Sequence, residues 1–178
     1  MLMKKNPQSK PKIILFLTGA AAFLTGAAIL SFLGGRRLLR DYRRSQLMKE
    51  NVVVEMPALR IKAPVLEGTD QEVLAKAAGH FPGTGEPGKG NYCIAAHSST
   101  IYKEYFNALR DVQNGMELRL YDVSKTCYTY YVTDFFIVEP NETWVLDDAG
   151  DTRVTLVTCT DDGTQRRIVI AKPQTAGT

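Results

Sequence analysis

The chain has 178 residues, 44% hydrophobic and 23% charged, with a formal net charge of +3. That is one domain's worth of protein with little to spare. The charge is unevenly divided: residues 1–44 carry nine Lys or Arg against one Asp, a net of +8, and residues 45–178 carry thirteen against eighteen Asp or Glu, a net of −5. Basicity confined to the flanks of an apolar run, beside an acidic remainder with no basic stripe, predicts no nucleic-acid partner and points to anionic lipid headgroups.

Residues 1–12 form a basic tail. Residues 13–33 are 21 consecutive uncharged residues, long enough at roughly 1.5 Å per residue to cross a hydrocarbon core of about 30 Å. One transmembrane helix is therefore expected over 13–35. The run is long for a signal-peptide core and no strong A-x-A site closes it, so a retained anchor is favoured over a cleaved signal or a buried hairpin. Positive charge lies on both flanks, so it does not orient the helix. Residues 36–54 are expected as a juxtamembrane linker leading into a soluble domain over 55–174.

Within that domain "NVVVE" is β-branched, and "MPALRIKAPV" alternates Leu59 and Ile61 with Arg60 and Lys62 between two prolines, an edge-strand pattern. "TDQEVLAKAAGH" predicts a short helix capped by Thr69 or Asp70 and ended by Gly79. "FPGTGEPGKGN" predicts a loop and matches no phosphate-binding pattern. "NYCIAAHS" is strand-like, with Cys93, Ala95 and His97 on one face. "YKEYFNAL" predicts a short helix with Tyr102, Phe106 and Leu109 on one side. "GMELRLYD", "CYTYYVTDFFIVEP", "TRVTLVTC" and "RRIVIA" then supply further strands. Seven or eight short strands, two short helices and turn-rich joints suit a closed or nearly closed, mainly β barrel.

Two of these strands end in reactive side chains, His97 and Cys159, and a third begins with Arg166 and Arg167. In a barrel, strands distant in sequence bring their ends to one rim. A cysteine nucleophile needs thiolate character, a histidine can supply the counter-charge or move a proton, and an arginine can donate to a developing oxyanion. On composition alone Cys159 stays open to four readings: buried small hydrophobe, half of a disulfide with Cys93 or Cys127, metal ligand, or nucleophile. Two histidines and three dispersed cysteines without a C-x-x-C spacing predict no zinc site, and the loop acids form no recognisable calcium motif. Asp161 and Asp162, beside the cysteine, have no assigned role beyond turn formation.

The segments "MPALRIKAPVLEGT", "AAGHFPGTGEPGKGNYCIAAH", "YFNALRDVQNGMELRLYD", "VEP" and "TLVTCTDDGTQRRIVIAK" together resemble the sortases, membrane-anchored cysteine transpeptidases of mainly Gram-positive bacteria. The match runs in family order over residues 56–172, with "IAAH" departing from the commoner I-A-G-H. The resemblance implies an eight-stranded sortase barrel with short helices behind one transmembrane helix, the N-terminus cytoplasmic and the catalytic domain extracytoplasmic. It carries the family's histidine onto His97 and its nucleophile onto Cys159. Its arginine falls on Arg166, counting back from Ala171, rather than on Arg167.

It further implies cleavage of a sorting signal resembling Leu-Pro-x-Thr-Gly between Thr and Gly. The acyl group would pass from a Cys159 thioester to an amine of a peptidoglycan precursor or a pilin lysine, with no metal or cofactor. The expected partners are secreted surface proteins bearing that signal, the acceptor amine and membrane lipid. The lack of an Asp-Pro-aromatic lid argues against the pilin-polymerising type, and Pro140 to Asp151 is too short for the long helical insertion of the class resembling the iron-acquisition sortases, so a class A-like or class D-like enzyme is expected. The competing reading is a non-catalytic anchored β-domain with a structural cysteine.

Overall fold

The computed structural model describes residues 10–98 and 105–174 and divides into two units, Met1–Arg43 and Arg44–Thr178. Helix α1 runs from Lys10 to Glu50. The expected juxtamembrane linker is therefore helical through most of its length. Leu15, Phe16, Phe23, Leu24, Ile29, Leu30 and Phe32 are all exposed on this helix, as suits a segment whose solvent is lipid.

The second unit is a closed eight-stranded barrel. Its strands are β1 (Val52–Met56), β2 (Ile61–Glu67), β3 (Ala78–His80), β4 (Asn91–Ala95), β5 (Glu117–Tyr121), β6 (Cys127–Val138), β7 (Arg153–Cys159) and β8 (Arg166–Lys172). They close in the order β1-β2-β3-β4-β7-β8-β6-β5, with β2–β3 and β4–β7 parallel and the other pairs antiparallel. Helix α2 covers only Gln71–Leu74, and Asp70 caps it by accepting from the N–H groups of Glu72 and Val73.

Two local expectations change. Leu59 belongs to a 3-10 turn, Pro57–Leu59, and the strand begins only at Ile61. Gly79 does not end the helix; it lies inside β3, where a Cβ would run into the backbone carbonyl of Gly68. Glycine there permits the close approach that lets Gly68 N–H donate to His80 O at 3.0 Å. Of the helix expected over "YKEYFNAL", a 3-10 helix at Asn107–Asp111 is seen, and Tyr102 lies outside the described residues.

Period-two alternation fills the barrel. Val54, Met56, Ala63, Val65, Tyr92, Ile94, Leu118, Leu120, Tyr130, Val132, Val154, Leu156, Val169 and Ala171 form one buried cluster with Phe106 and Leu109. Each large side chain so buried contributes about 1.5–3 kcal/mol. A second buried cluster lies on the other face of the sheet: Ala95, Val157, Ile168, Ile170 and Val145, flanked by Leu74, Phe81, Phe136, Val138 and Leu146. Burial on both faces is why β7 and β8 read as near-continuous apolar runs rather than alternating ones.

A bulge in β6 supplies part of that second face. Val132 pairs with Ala171 and Asp134 with Ile170, so Thr133 is the extra residue. The inserted residue reverses the alternation, and Phe136 and Val138 take the parity of Ile168 and Arg166.

Candidate active site

Strand registers bring the three candidate residues to one end of three adjacent strands. In the parallel pair β4–β7, Ala95 aligns with Val157. Ala96 N–H donates to Val157 O at 3.2 Å, and the buried Thr158 hydroxyl donates to Ala96 O at 2.8 Å. His97 and Cys159 each stand two residues beyond that aligned pair. In the antiparallel pair β7–β8, Cys159 is the direct partner of Arg166. All three are half-buried.

By alternation Cys159 and Arg166 share the face of Val157 and Ile168, the second buried cluster, which places them outside the barrel interior. Arg167 pairs with Thr158 and takes the opposite face. The Arg166 Nη1 donates to Gln165 O at 3.0 Å and to Gly163 O at 3.4 Å. The family arginine assigned to Arg166 thus falls beside Cys159, and its neighbour does not.

The remaining histidine and cysteines have other roles. His80 is buried, its Nδ1 lies 2.7 Å from Glu67 Oε2, its Nε2 lies 2.9 Å from Thr84 Oγ1, and its ring stacks on Tyr92 at 4.3 Å. It ties β3 to the glycine-rich loop. Cys93 is buried, and burial pushes its thiol up to about 11, so it stays protonated and inert. Cys127 is exposed at the start of β6, and all three cysteines are free thiols. A Cys93–Cys159 bridge is excluded by the register, because Cys93 aligns with Thr155. Four residues of strand separate that position from Cys159, about 13 Å, where a disulfide needs Cα atoms within roughly 7 Å.

The connection from β6 to β7 forms one wall of the outer face. Its 3-10 turn, Trp144–Leu146, is fastened by Asn91 at the start of β4. The buried Asn91 amide donates through Nδ2 to Val145 O at 3.1 Å and to Asp147 O at 2.9 Å, while its Oδ1 accepts from Thr155 Oγ1 at 2.7 Å. Trp144 stacks on Phe136 with centroids 5.7 Å apart and planes 6° from parallel. Sequence reasoning missed both residues. Asn91 sits at the end of "GEPGKGN" and looks like one more turn former, and Trp144 lies in a short connection without periodicity.

A cleft of about 290 Å³ lined by Thr84, Glu86, Lys89, Asn91, Leu146 and Asp148 opens at the start of β4. It stands at the far end of the β4–β7 pair from Cys159 and takes no part in the row.

Comparison with known proteins agrees with this fold. The sortase domain family matches residues 54–174. The chain is 28% identical over 135 residues to sortase A of Bacillus anthracis, covering 74% of this chain and 64% of that protein. It is 34% identical over 131 residues to sortase A of Streptococcus agalactiae, covering 70% and 53%. A solved structure of a sortase D5 transpeptidase from Clostridium perfringens superposes with a TM-score of 0.65 at 28% identity, covering 76% of this chain and 88% of that one. The chain spans 53% to 64% of the length of the two sortase A relatives.

Proposed function

The chain belongs to the sortase family, and from that premise we propose that it is a cysteine transpeptidase that cuts a C-terminal sorting signal resembling Leu-Pro-x-Thr-Gly between Thr and Gly. The observation that carries the reading is the direct pairing of Cys159 with Arg166 across β7 and β8, with His97 just beyond the end of β4, two residues after the Ala95–Val157 pair.

The Cys159 thiolate attacks the Thr carbonyl carbon, and the carbonyl π pair moves to oxygen. Arg166 donates to that oxyanion. His97, as imidazolium, gives its proton to the Gly nitrogen as the C–N bond breaks, leaving a thioester on Cys159 and a free Gly amine. An incoming amine then attacks the thioester, His97 takes its proton, and the thiolate leaves as the new amide forms. Over the buried Ala95, Val157 and Ile168 of the outer face, the half-buried Phe136 and the exposed Trp144 offer an apolar surface for the apolar residues of the signal.

The anchor is a single-pass helix with the barrel on the extracytoplasmic side. The acceptor is the amine of a peptidoglycan precursor, and secreted surface proteins are the donors. The expected outcome is that Cys159→Ala loses both peptide cleavage and the thioester adduct seen by intact-protein mass spectrometry. Retained turnover in that variant would sink the mechanism. Product partition among water, a peptidoglycan-type amine and a lysine-bearing pilin-type peptide distinguishes transfer to the wall from hydrolysis and from pilin polymerisation.

A further inference from the structure

The turn joining β7 to β8, residues 160–165, stands between the strand that ends in Cys159 and Arg166. One side chain ties it together. The Asp162 carboxylate accepts from the Thr160 hydroxyl on Oδ1 at 2.6 Å, from Thr164 N–H on the same oxygen at 3.2 Å, and from the Thr164 hydroxyl on Oδ2 at 2.8 Å. Thr160 closes the loop on its other side: its N–H donates to Gln165 O at 3.0 Å and its Oγ1 accepts from Gln165 N–H at 3.1 Å. Gly163, at φ +75°, sits in the left-handed region and donates its N–H to Thr160 O at 2.8 Å. Gln165 Nε2 donates to Glu139 Oε1 at 2.8 Å and so pins the turn to the end of β6.

The consequence appears at Arg166. The two carbonyls whose direction this turn sets, Gly163 O and Gln165 O, both accept from Arg166 Nη1. A guanidinium has five N–H donors on a rigid plane, so fixing one nitrogen orients the fork and leaves the other donors for a further acceptor. We propose that Asp162 is a positioning residue for Arg166, holding the turn in the one conformation whose carbonyls aim the guanidinium at the reacting carbonyl of a substrate on Cys159. The inference rests on the reading above, in which Arg166 stabilises the oxyanion. The hydrogen bonds from Thr160 and Thr164 hold the Asp162 carboxyl down to about 2, so the tie is ionised throughout the neutral range.

The test is a steady-state comparison of the full chain in detergent micelles, with a sorting-signal peptide and an amine acceptor, for Asp162→Ala, Asp162→Asn, Arg166→Ala and the Asp162→Ala/Arg166→Ala double variant. Asp162→Ala is expected to lower kcat about tenfold or more with KM changed less than about threefold, and the double variant to be no slower than Arg166→Ala alone. Asp162→Asn keeps an oxygen for Thr160 and for Thr164 N–H, and the Thr164 hydroxyl can turn to accept from the new amide, so kcat returns to within about threefold of the wild type. Melting temperatures stay within about 2 °C of wild type, because the residue is exposed.

Wild-type kcat in Asp162→Ala beside an impaired Arg166→Ala overturns this inference and leaves the reading of Arg166 intact. A double variant slowed by the product of the two single effects overturns it as well, since Asp162 would then act independently of Arg166. A melting temperature lowered along with kcat overturns it in favour of a structural role. Wild-type turnover in Arg166→Ala removes the reading of Arg166 and, with it, this inference.

Discussion

The connection from β6 to β7 is fastened from within the fold by Asn91, which is 3% exposed, whereas the turn from β7 to β8 is fastened at its own surface by Asp162. Both flank the Cys159 row, and each tie makes three hydrogen bonds. Their energetic meanings differ. Removing Asn91 strands the Val145 carbonyl and the Thr155 hydroxyl away from water, and each buried unsatisfied group costs about 1–3 kcal/mol. Removing Asp162 exposes its donors to solvent, which replaces the lost bonds. A buried tie sets whether a connection is folded; an exposed one chooses among conformations close in energy.

The strongest test of that contrast is Asn91→Ala. Leaving the buried Val145 carbonyl and Thr155 hydroxyl unpaired is expected to destabilise the barrel by about 3 kcal/mol. That corresponds to a fall in Tm of roughly 10 °C by calorimetry or circular dichroism. An unchanged Tm would mean that the wall holds without its internal tie, and the contrast with Asp162 would collapse. Thr155→Val is the milder version. It keeps the shape and removes the hydroxyl that donates to Asn91 Oδ1 and borders the Cys93 thiol, so a loss of about 1–1.5 kcal/mol is expected in the same measurement.

These two residues also mark where the sequence became opaque. The barrel was legible because its strands are short, β-branched and separated by turn residues, and "CIAAH", "TLVTC" and "RRIVIA" end or begin on reactive side chains. The resemblance assigns the arginine to Arg166 by counting back from Ala171, parity sets Arg167 on the other face, and the register pairs Arg166 with Cys159. The bulge at Thr133 was not legible, because an inserted residue leaves no mark in composition while reversing the facing of Phe136 and Val138. Gly79 was misread because a glycine after a helical pattern looks like a stop, whereas here it answers to a carbonyl contact 11 residues away in sequence. The role of Asn91 is tertiary, its partners lying 54 to 64 residues away, whereas Asp162 bonds only within its own turn, and its link to Arg166 shows only once the carbonyls of that turn are placed.

Trp144 separates stability from recognition on the same wall. It is 53% exposed and, among the described residues, stacks on Phe136 alone, so Trp144→Ala is expected to cost about 1 kcal/mol of stability or less. If the indole lines the path of the sorting signal, KM for the peptide rises about fivefold with kcat little changed, a loss of uniform binding. An unchanged KM would place the path of the signal away from this indole.

The smallest effect is expected at Asp151, which compares the two ends of β7. Its carboxylate accepts from Arg153 and, at 2.9 Å, from Lys172 Nζ, and the Arg153 hydrogen bonds hold its carboxyl down to about 2. The side chain is 36% exposed, so solvent screening limits the worth of the cluster to less than about 1 kcal/mol. Because the pKa is depressed on folding, that stabilisation is fully present above the ordinary carboxylate pKa of 3.8 and is lost as pH falls through about 2. Asp151→Asn should therefore lower Tm slightly at pH 7, and the gap to wild type should close in an acid titration between about pH 4 and pH 2. Activity on the peptide should not change. Arg153 aligns with Asn91 at the opposite end of β7 from Cys159, six residues or about 20 Å of strand away. A loss of kcat in this variant would show that the two ends of the strand are coupled, and that the Cys159 row depends on more than the two connections that flank it.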